Sequence, residues 1–217
     1  GVARDKFFLT TKIFPDDMKF EPEKLIAAAK RSLENLDTDY VDLLLLHWPD
    51  DRVPLSETMP ALCELQKQGL TRNIGVSNFN IANIIEAKKY ADMPISVNQV
   101  EFHPFIKQNT LQTFLNNHHI LLEAYSPLAR GDVFDNEVIK EIADKHGITP
   151  AQVSLAWILS DKQRIAIPKT SNPEHLQGNL DAVKVTLSAD ELEKIGSLAR
   201  SDGRKIKHPD YSPEWDD

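Results

Sequence analysis

Short β-rich apolar runs alternate with longer amphipathic segments along the whole chain. The most apolar run, residues 40–48, is nearly continuous, as expected for a strand whose two faces are both buried. Residues 21–36 instead carry leucine, isoleucine and alanine at the spacing of an amphipathic helix. Strict alternation of this kind is typical of βαβ units on a parallel sheet.

The pattern predicts six strands and eight helices. The strands are predicted at residues 7–13, 40–48, 73–77, 95–102, 120–125 and 164–168. The helices are predicted at residues 21–36, 56–68, 81–90, 110–117, 136–146, 150–159, 173–180 and 189–200. Thr149 is the expected N-cap of the helix at 150–159.

Two folds satisfy this order of elements, an open doubly wound sheet and a closed (β/α)8 barrel. No strand-to-helix turn carries the Gly-x-Gly-x-x-Gly dinucleotide fingerprint, which counts against the doubly wound sheet. Eight barrel units take about 250 residues, so six units take about 190, close to the 217 present. We therefore expect a single TIM-barrel domain over residues 1–217 that holds the third to eighth units and is incomplete at its N-terminus.

Composition and charge exclude several classes of function. The chain has 25 basic and 33 acidic residues, a net charge of −8, which argues against binding to nucleic-acid phosphates. No apolar run approaches the roughly 18 residues of a transmembrane helix, so no membrane partner is expected. A single cysteine, Cys63, excludes an internal disulfide framework and a cysteine-based zinc site. We expect a cytoplasmic protein that needs no metal ion.

Hydrogen-bonding side chains stand at the predicted carboxyl ends of the strands: Lys12, His47, Ser77, Asn78, Gln99, Tyr125, Ser126 and Lys169. Active sites assemble at this rim of a parallel barrel. The amides of Asn78 and Gln99 suit a carboxamide and Tyr125 offers a face to a flat ring, so the set suits nicotinamide. Lys12 suits either a Schiff base with a carbonyl substrate or a charge that lowers the pKa of a neighbouring acid.

Six segments that contain these residues resemble motifs of the aldo-keto reductases, and in particular of the bacterial branch that contains the 2,5-diketo-D-gluconate reductases. The segments are LTTK at 9–12, LLHWP at 45–49, IGVSNF at 74–79, NQVEFHP at 98–104, YSPL at 125–128 and IPKT at 167–170. They occur in the family's order, and residues 203–216 resemble the short ending of the bacterial branch.

The resemblance implies the residues that carry the chemistry. His47 would bind the carbonyl oxygen of the substrate, and Trp48 and Phe14 would line an apolar substrate pocket. Lys12 would lower the pKa of a catalytic tyrosine that is itself held by an aspartate. The family places that tyrosine and aspartate in its first two βα units, so we expect both to lie upstream of Gly1.

The resemblance also implies the residues that bind NADPH. Ser77, Asn78 and Gln99 would hold the carboxamide, Tyr125 would stack on the nicotinamide, and Ser126 and Leu128 would lie along the pyrophosphate. The adenosine and its 2′-phosphate would be met by Ile167, Lys169, Thr170, His175 and Asn179.

Two positions depart from the pattern of NADPH-specific relatives. His175 stands where most of them have an arginine, and Gly178 stands where many have a glutamate. A histidine near its unperturbed pKa of about 6.5 is charged only part of the time. We therefore expect that NADPH is preferred and that NADH is tolerated.

The expected function is the reduction of small aldehydes and ketones, sugar-derived or α-dicarbonyl compounds included, by a monomer whose partner is the small-molecule substrate. The alternative is a nicotinamide-nucleotide-binding barrel with little or no turnover. A third class, a Schiff-base lyase that uses Lys12, is disfavoured because it leaves the cofactor motifs without a role.

Overall fold

The computed structural model describes residues 1–15 and 19–217. The strands are β1 (Thr10–Ile13), β2 (Val41–Leu46), β3 (Thr71–Ser77), β4 (Ile95–Glu101), β5 (Leu121–Tyr125) and β6 (Arg164–Ala166). The helices are α1 (Pro22–Asn35), α2 (Leu55–Lys67), α3 (Ile81–Tyr90), α4 (Asn109–Asn117), α5 (Glu137–His146), α6 (Pro150–Leu159), α7 (Pro173–Asp181) and α8 (Ala189–Gly196). Short 3-10 helices lie at Arg4–Lys6, Ala129–Phe134 and Ala182–Lys184. Every predicted strand and helix is present, and the 3-10 helices are additional.

The chain divides into two compact units. The first unit comprises Gly1–Asn98 and His208–Asp216, and the second comprises Gln99–Lys207 and Asp217. The six strands follow one another in chain order in the sheet. The single-domain assignment over residues 1–217 stays a prediction. Across the part of the chain that the structure describes, every helix is too short or too polar to cross a bilayer.

The first unit is built on the parallel strands β1, β2 and β3. All six residues of β2 are buried, as the continuous apolar run predicts. Lys12 of β1 is in register with Leu45, and Leu45 in turn is in register with Gly75 of β3. This register brings the carboxyl ends of the three strands to one edge of the sheet.

The first strand is shorter than predicted because its N-terminal part is held by a side chain. Arg4 donates a hydrogen bond to the carbonyl oxygen of Phe7 at 3.1 Å and a second one to the Asp42 carboxylate at 2.7 Å. Phe7 and Phe8 are 43% and 67% exposed. The prediction that the strand begins at residue 7 is therefore wrong, and it begins at Thr10.

The second unit has its own apolar core beneath the parallel pair β5 and β6. Ile139, Val153 and Ile195, from α5, α6 and α8, are fully buried in that core. The predicted N-cap is confirmed, since the Thr149 hydroxyl accepts a hydrogen bond from the backbone amide of Gln152 at 3.2 Å.

The last helix ends four residues before its predicted end. The Arg200 amide donates to the carbonyl oxygen of Phe105 at 3.0 Å, and the Lys107 amide donates to the carbonyl oxygen of Arg200 at 3.1 Å. These two bonds form a short parallel bridge, so Arg200 pairs with an extended segment instead of continuing α8. The prediction that the helix reaches residue 200 is wrong for this reason.

Gly75 allows a close approach of neighbouring strands. A Cβ atom at this position would lie 2.6 Å from Leu45 Cδ2 and 2.7 Å from the backbone oxygen of Val97. The Val97 oxygen belongs to the backbone of a neighbouring strand, which cannot shift without disturbing the sheet. We therefore expect Gly75→Ala to lower the free energy of unfolding by about 1–3 kcal/mol. Urea denaturation followed by circular dichroism measures this change.

Gly196→Ala is the matched control, since a Cβ atom there meets no atom within 4 Å. Alanine also has a higher helix propensity than glycine, so this variant should be as stable as the wild type or more stable. Equal stability of the Gly75→Ala and wild-type proteins would contradict the close approach of the strands.

Candidate active site

Three predicted site residues of the first unit form one hydrogen-bonded group. His47 follows β2 directly, Ser77 is the last residue of β3, and Asn78 comes next with a left-handed backbone at φ 61°. The Asn78 amide nitrogen donates to the carbonyl oxygen of His47 at 3.0 Å and to the Ser77 hydroxyl at 3.1 Å. The ends of β2 and β3 are therefore held together by the side chain of Asn78.

His47 is a neutral imidazole near pH 7. Burial lowers its pKa from 6.5 to about 4, and the charges of Lys12 and His208 lower it in the same direction. The ring of Phe14 meets the His47 ring edge to face, with centroids 5.3 Å apart. A neutral imidazole carries one N–H. The ring can donate this hydrogen to a carbonyl oxygen while carrying no net charge itself.

The depressed pKa of His47 makes stability depend on pH. As the pH falls from about 6.5 toward 4, the unfolded chain binds a proton at His47 that the folded chain does not, so unfolding is favoured. We expect wild type to lose on the order of 2 kcal/mol more stability than His47→Gln between about pH 7.5 and pH 5. Urea denaturation at the two pH values measures the free energy of unfolding of both proteins. Equal losses of stability in wild type and His47→Gln would contradict the neutral state of His47.

The predicted pocket residues Phe14 and Trp48 are joined by two residues that sequence reasoning missed, His208 and Tyr211. The His208 ring centroid lies 5.6 Å from that of Phe14 and 5.7 Å from that of Trp48. The Tyr211 ring lies 4.6 Å from His208 and 5.7 Å from Phe14. The only signal in the sequence is the presence of two ring side chains in a segment without helical or strand periodicity.

His208–Asp216, the C-terminal tail, contacts the rest of the first unit at Tyr211 and at Asp216. Tyr211 donates its hydroxyl hydrogen to the carbonyl oxygen of Pro15, and Arg52 lies 5.3 Å above the Tyr211 ring. The Asp216 carboxylate accepts a hydrogen bond at 3.1 Å from the Ile81 amide, the first of α3. The tail thereby borders an open polar cavity of about 620 Å³.

Two predicted site residues of the second unit lie on strands β4 and β5. Gln99 of β4 donates its amide hydrogen to the Glu123 carboxylate, and Tyr125 is the half-buried last residue of β5. Burial, together with the charge of Glu101, raises the pKa of Tyr125. The phenol is therefore neutral across the physiological range, which suits a stacking surface.

Glu101 is buried at the centre of a polar cluster. Its carboxylate accepts hydrogen bonds from His103 Nε2 at 3.1 Å and from the Lys205 and Ile206 amides at 2.8 and 2.9 Å. Burial opposes ionisation of Glu101, but these hydrogen bonds outweigh it and lower its pKa. Arg204 Nη1 lies 4.0 Å from Glu101 Oε2. Burial lowers the pKa of Arg204 to about 10.

The remaining predicted residues of the second unit lie after β5 and β6. Ser126 has a left-handed backbone at φ 49°, and Leu128 packs against the apolar core.

Ile167 and Lys169 are exposed, and the hydroxyl oxygen of Thr170 accepts a hydrogen bond from the Asn172 amide at 3.1 Å. His175 and Asn179 lie four residues apart on α7, and therefore on one face of that helix.

Residues 1–200 match the aldo/keto reductase family. The chain belongs to that family.

It is 39% identical over 219 residues to methylglyoxal reductase DkgB of Escherichia coli O157:H7, covering 100% of this chain and 80% of the relative. A crystal structure of a protein assigned as a 2,5-diketo-D-gluconic acid reductase B superposes with a TM-score of 0.96 at 37% identity, covering 100% of this chain and 76% of that chain. The crystal structure of a Gox0644 variant in complex with NADPH superposes with a TM-score of 0.87 at 37% identity, covering 94% of this chain and 74% of that chain.

Membership of this family makes the chain an oxidoreductase of the aldo/keto reductase type. Its six strands, alternating with helices, form part of a (β/α)8 barrel. The family resemblance and the barrel fold predicted from the sequence are both confirmed.

Proposed function

We propose that this aldo/keto reductase uses NADPH to reduce small aldehydes and ketones, α-dicarbonyl compounds among them, to alcohols. The observation that carries the proposal is the neutral His47, which contacts the ring of Phe14 and lies within the field of Lys12. The similarity to a methylglyoxal reductase supports a small dicarbonyl substrate.

The side chains present fit a nicotinamide cofactor. Ser77 and Asn78, in the first unit, carry hydroxyl and amide groups of the kind with which a carboxamide pairs, and Gln99, in the second unit, carries another amide. Tyr125 supplies a neutral aromatic face at the end of β5. When bound, the cofactor supplies the hydride.

The residues of this chain orient and polarise the carbonyl group. His47 donates its N–H to the substrate oxygen, where negative charge develops as the carbonyl is reduced. Lys12, on the neighbouring strand, adds a positive charge that favours the ionised form of the tyrosine that the resemblance makes the proton donor to that oxygen. Phe14 and Trp48 exclude water from one side of the carbonyl.

The segment after β6 supplies the contacts to the adenosine end. Lys169 is a point charge suited to a phosphate, and the exposed Ile167 precedes it. Thr170 lies just before α7, whose N-cap Asn172 accepts a hydrogen bond from the Glu174 amide at 2.9 Å. We assign this segment, with His175 and Asn179, to the 2′-phosphate and adenosine, and Ser126 and Leu128 to the pyrophosphate.

The direct test measures turnover and binding separately. Purified protein is incubated with methylglyoxal and NADPH while the absorbance of NADPH is followed, and NADPH binding is measured by calorimetry. Binding with turnover supports the proposal. Binding without turnover of methylglyoxal, propanal or a sugar-derived ketone would overturn it in favour of a nucleotide-binding barrel. Borohydride trapping of a carbonyl compound on Lys12 would favour a lyase.

Cofactor preference provides a second prediction. We expect kcat/KM to be higher with NADPH than with NADH, and the preference to increase about three- to tenfold in His175→Arg, because arginine is always charged and binds phosphate in a bidentate manner. His118→Arg, on the exposed end of α4, is the matched control. A wild-type preference of many thousandfold would contradict the expected tolerance of NADH.

A further inference from the structure

Two imidazole rings contact the phenyl ring of Phe14. The centroids of His47 and His208 lie 5.3 and 5.6 Å from the centroid of Phe14. The two histidines are also close enough that a positive charge on His208 would oppose protonation of His47. The proposed function gives a role to His47 alone.

The hydrogen bonds of His208 define its tautomer. Its Nδ1 accepts a hydrogen bond from the backbone amide of Asp210 at 3.2 Å. A nitrogen that accepts an N–H bond carries no hydrogen itself, so in this arrangement the ring hydrogen is on Nε2. Among residues 1–15 and 19–217, no hydrogen-bond partner of Nε2 is found. His208 therefore has one N–H to offer a ligand.

The position of His208 is fixed by a short turn. Its amide donates to the Ser212 hydroxyl at 2.6 Å, and the Ser212 amide donates back to the His208 carbonyl oxygen at 3.2 Å. The ring also packs against Trp48 and Tyr211, at centroid distances of 5.7 and 4.6 Å. A donor held in this way loses little conformational entropy when a ligand binds.

We propose that His208 is a specificity-determining residue that donates its Nε2 hydrogen to the second oxygen of a vicinal dicarbonyl substrate. The inference rests on the proposed function, in which His47 binds the oxygen of the carbonyl that is reduced. A small dicarbonyl compound seated on Phe14 presents one oxygen to each imidazole. A simple aldehyde has only the first of these oxygens, so His208 favours dicarbonyl compounds over aldehydes of the same size.

The test compares methylglyoxal with propanal, which has the same three carbons and lacks the second carbonyl. In His208→Phe we expect kcat/KM for methylglyoxal to fall about three- to tenfold, the effect of one neutral hydrogen bond. The value for propanal should change less than about twofold, because the phenyl ring preserves the packing. His208→Gln, which keeps an N–H donor, should recover most of the loss. Asp210→Ala, in the same turn, is the matched control.

The outcomes separate this inference from the proposed function. Equal losses for both substrates in His208→Phe would assign His208 to packing alone and overturn the inference while the reductase function stands. If the wild-type protein reduced neither methylglyoxal nor propanal, the proposed function would be overturned instead.

A binding measurement then decides the role of His208 without turnover. In the presence of NADP⁺, the Cε1–H signal of His208, assigned from its loss in His208→Gln, is followed by nuclear magnetic resonance. The unreactive pair is pyruvamide, with two adjacent carbonyl groups, and propanamide, with one. We expect pyruvamide to shift the signal and to bind about three- to tenfold more tightly. Equal binding of the two amides would overturn the inference.

Discussion

Replacing His47 with alanine is expected to lower kcat/KM for methylglyoxal by about 10²- to 10³-fold, the effect of removing one preorganised donor to a developing oxyanion. His47 is suited to that task because burial and Lys12 keep it neutral, with a pKa of about 4. The ring is therefore in its neutral form, with one N–H, through the whole physiological range. Steady-state kinetics with saturating NADPH measure the loss.

His118→Ala provides the control, since His118 is exposed at the end of α4. NADPH affinity should be nearly the same in His47→Ala and wild type, because the proposed role of His47 is toward the substrate. A His47→Ala enzyme with wild-type kcat/KM would exclude His47 from the reaction. A large loss of NADPH affinity would instead assign it to cofactor binding.

The second large effect is expected from Lys12→Met, which should lower kcat by about 10²- to 10⁴-fold, the range for loss of general acid–base catalysis. Methionine preserves the length of the side chain and removes its charge. The charge matters because the resemblance assigns Lys12 to lowering the pKa of the proton donor. Single-turnover kinetics of NADPH oxidation measure the chemical step directly.

The pKa of His47, measured by spectroscopy, separates this electrostatic role of Lys12 from a loss of folding. Since Lys12 contributes to the depressed pKa of His47, Lys12→Met should raise that pKa from about 4 toward 6.5. Lys12→Arg should leave it low. Lys24→Met, which removes an exposed charge on α1, is the control. An unchanged pKa of His47 in Lys12→Met would show that the two side chains do not interact.

Much of the fold was predictable because the signals are local. A buried parallel strand is apolar at every position, and β2 is such a strand over Val41–Leu46. The residue that follows a strand is identified by counting along the chain, so His47 and Asn78 could be placed at strand ends from the sequence. Thr149 could be assigned as a cap because its partner, Gln152, lies only three residues away.

The mistaken boundaries have a different physical origin. The first strand begins late because Arg4 holds Phe7 and Asp42, and α8 ends early because Arg200 pairs with Phe105. Each of these hydrogen bonds competes with a regular element for the same backbone groups. Side-chain periodicity contains no information about that competition, since it reports which face of an element is apolar.

The alternation of strands and helices, the residues at the strand ends and, through its motifs, the family could all be inferred from the amino-acid sequence. The surroundings of His47 depend instead on tertiary packing. The Tyr211 hydroxyl bonds to Pro15 across 196 residues of chain, and His208 reaches Phe14 and Trp48 from the same tail. Contacts of that separation depend on how the whole chain packs, because no local periodicity or capping preference specifies where an irregular tail will lie.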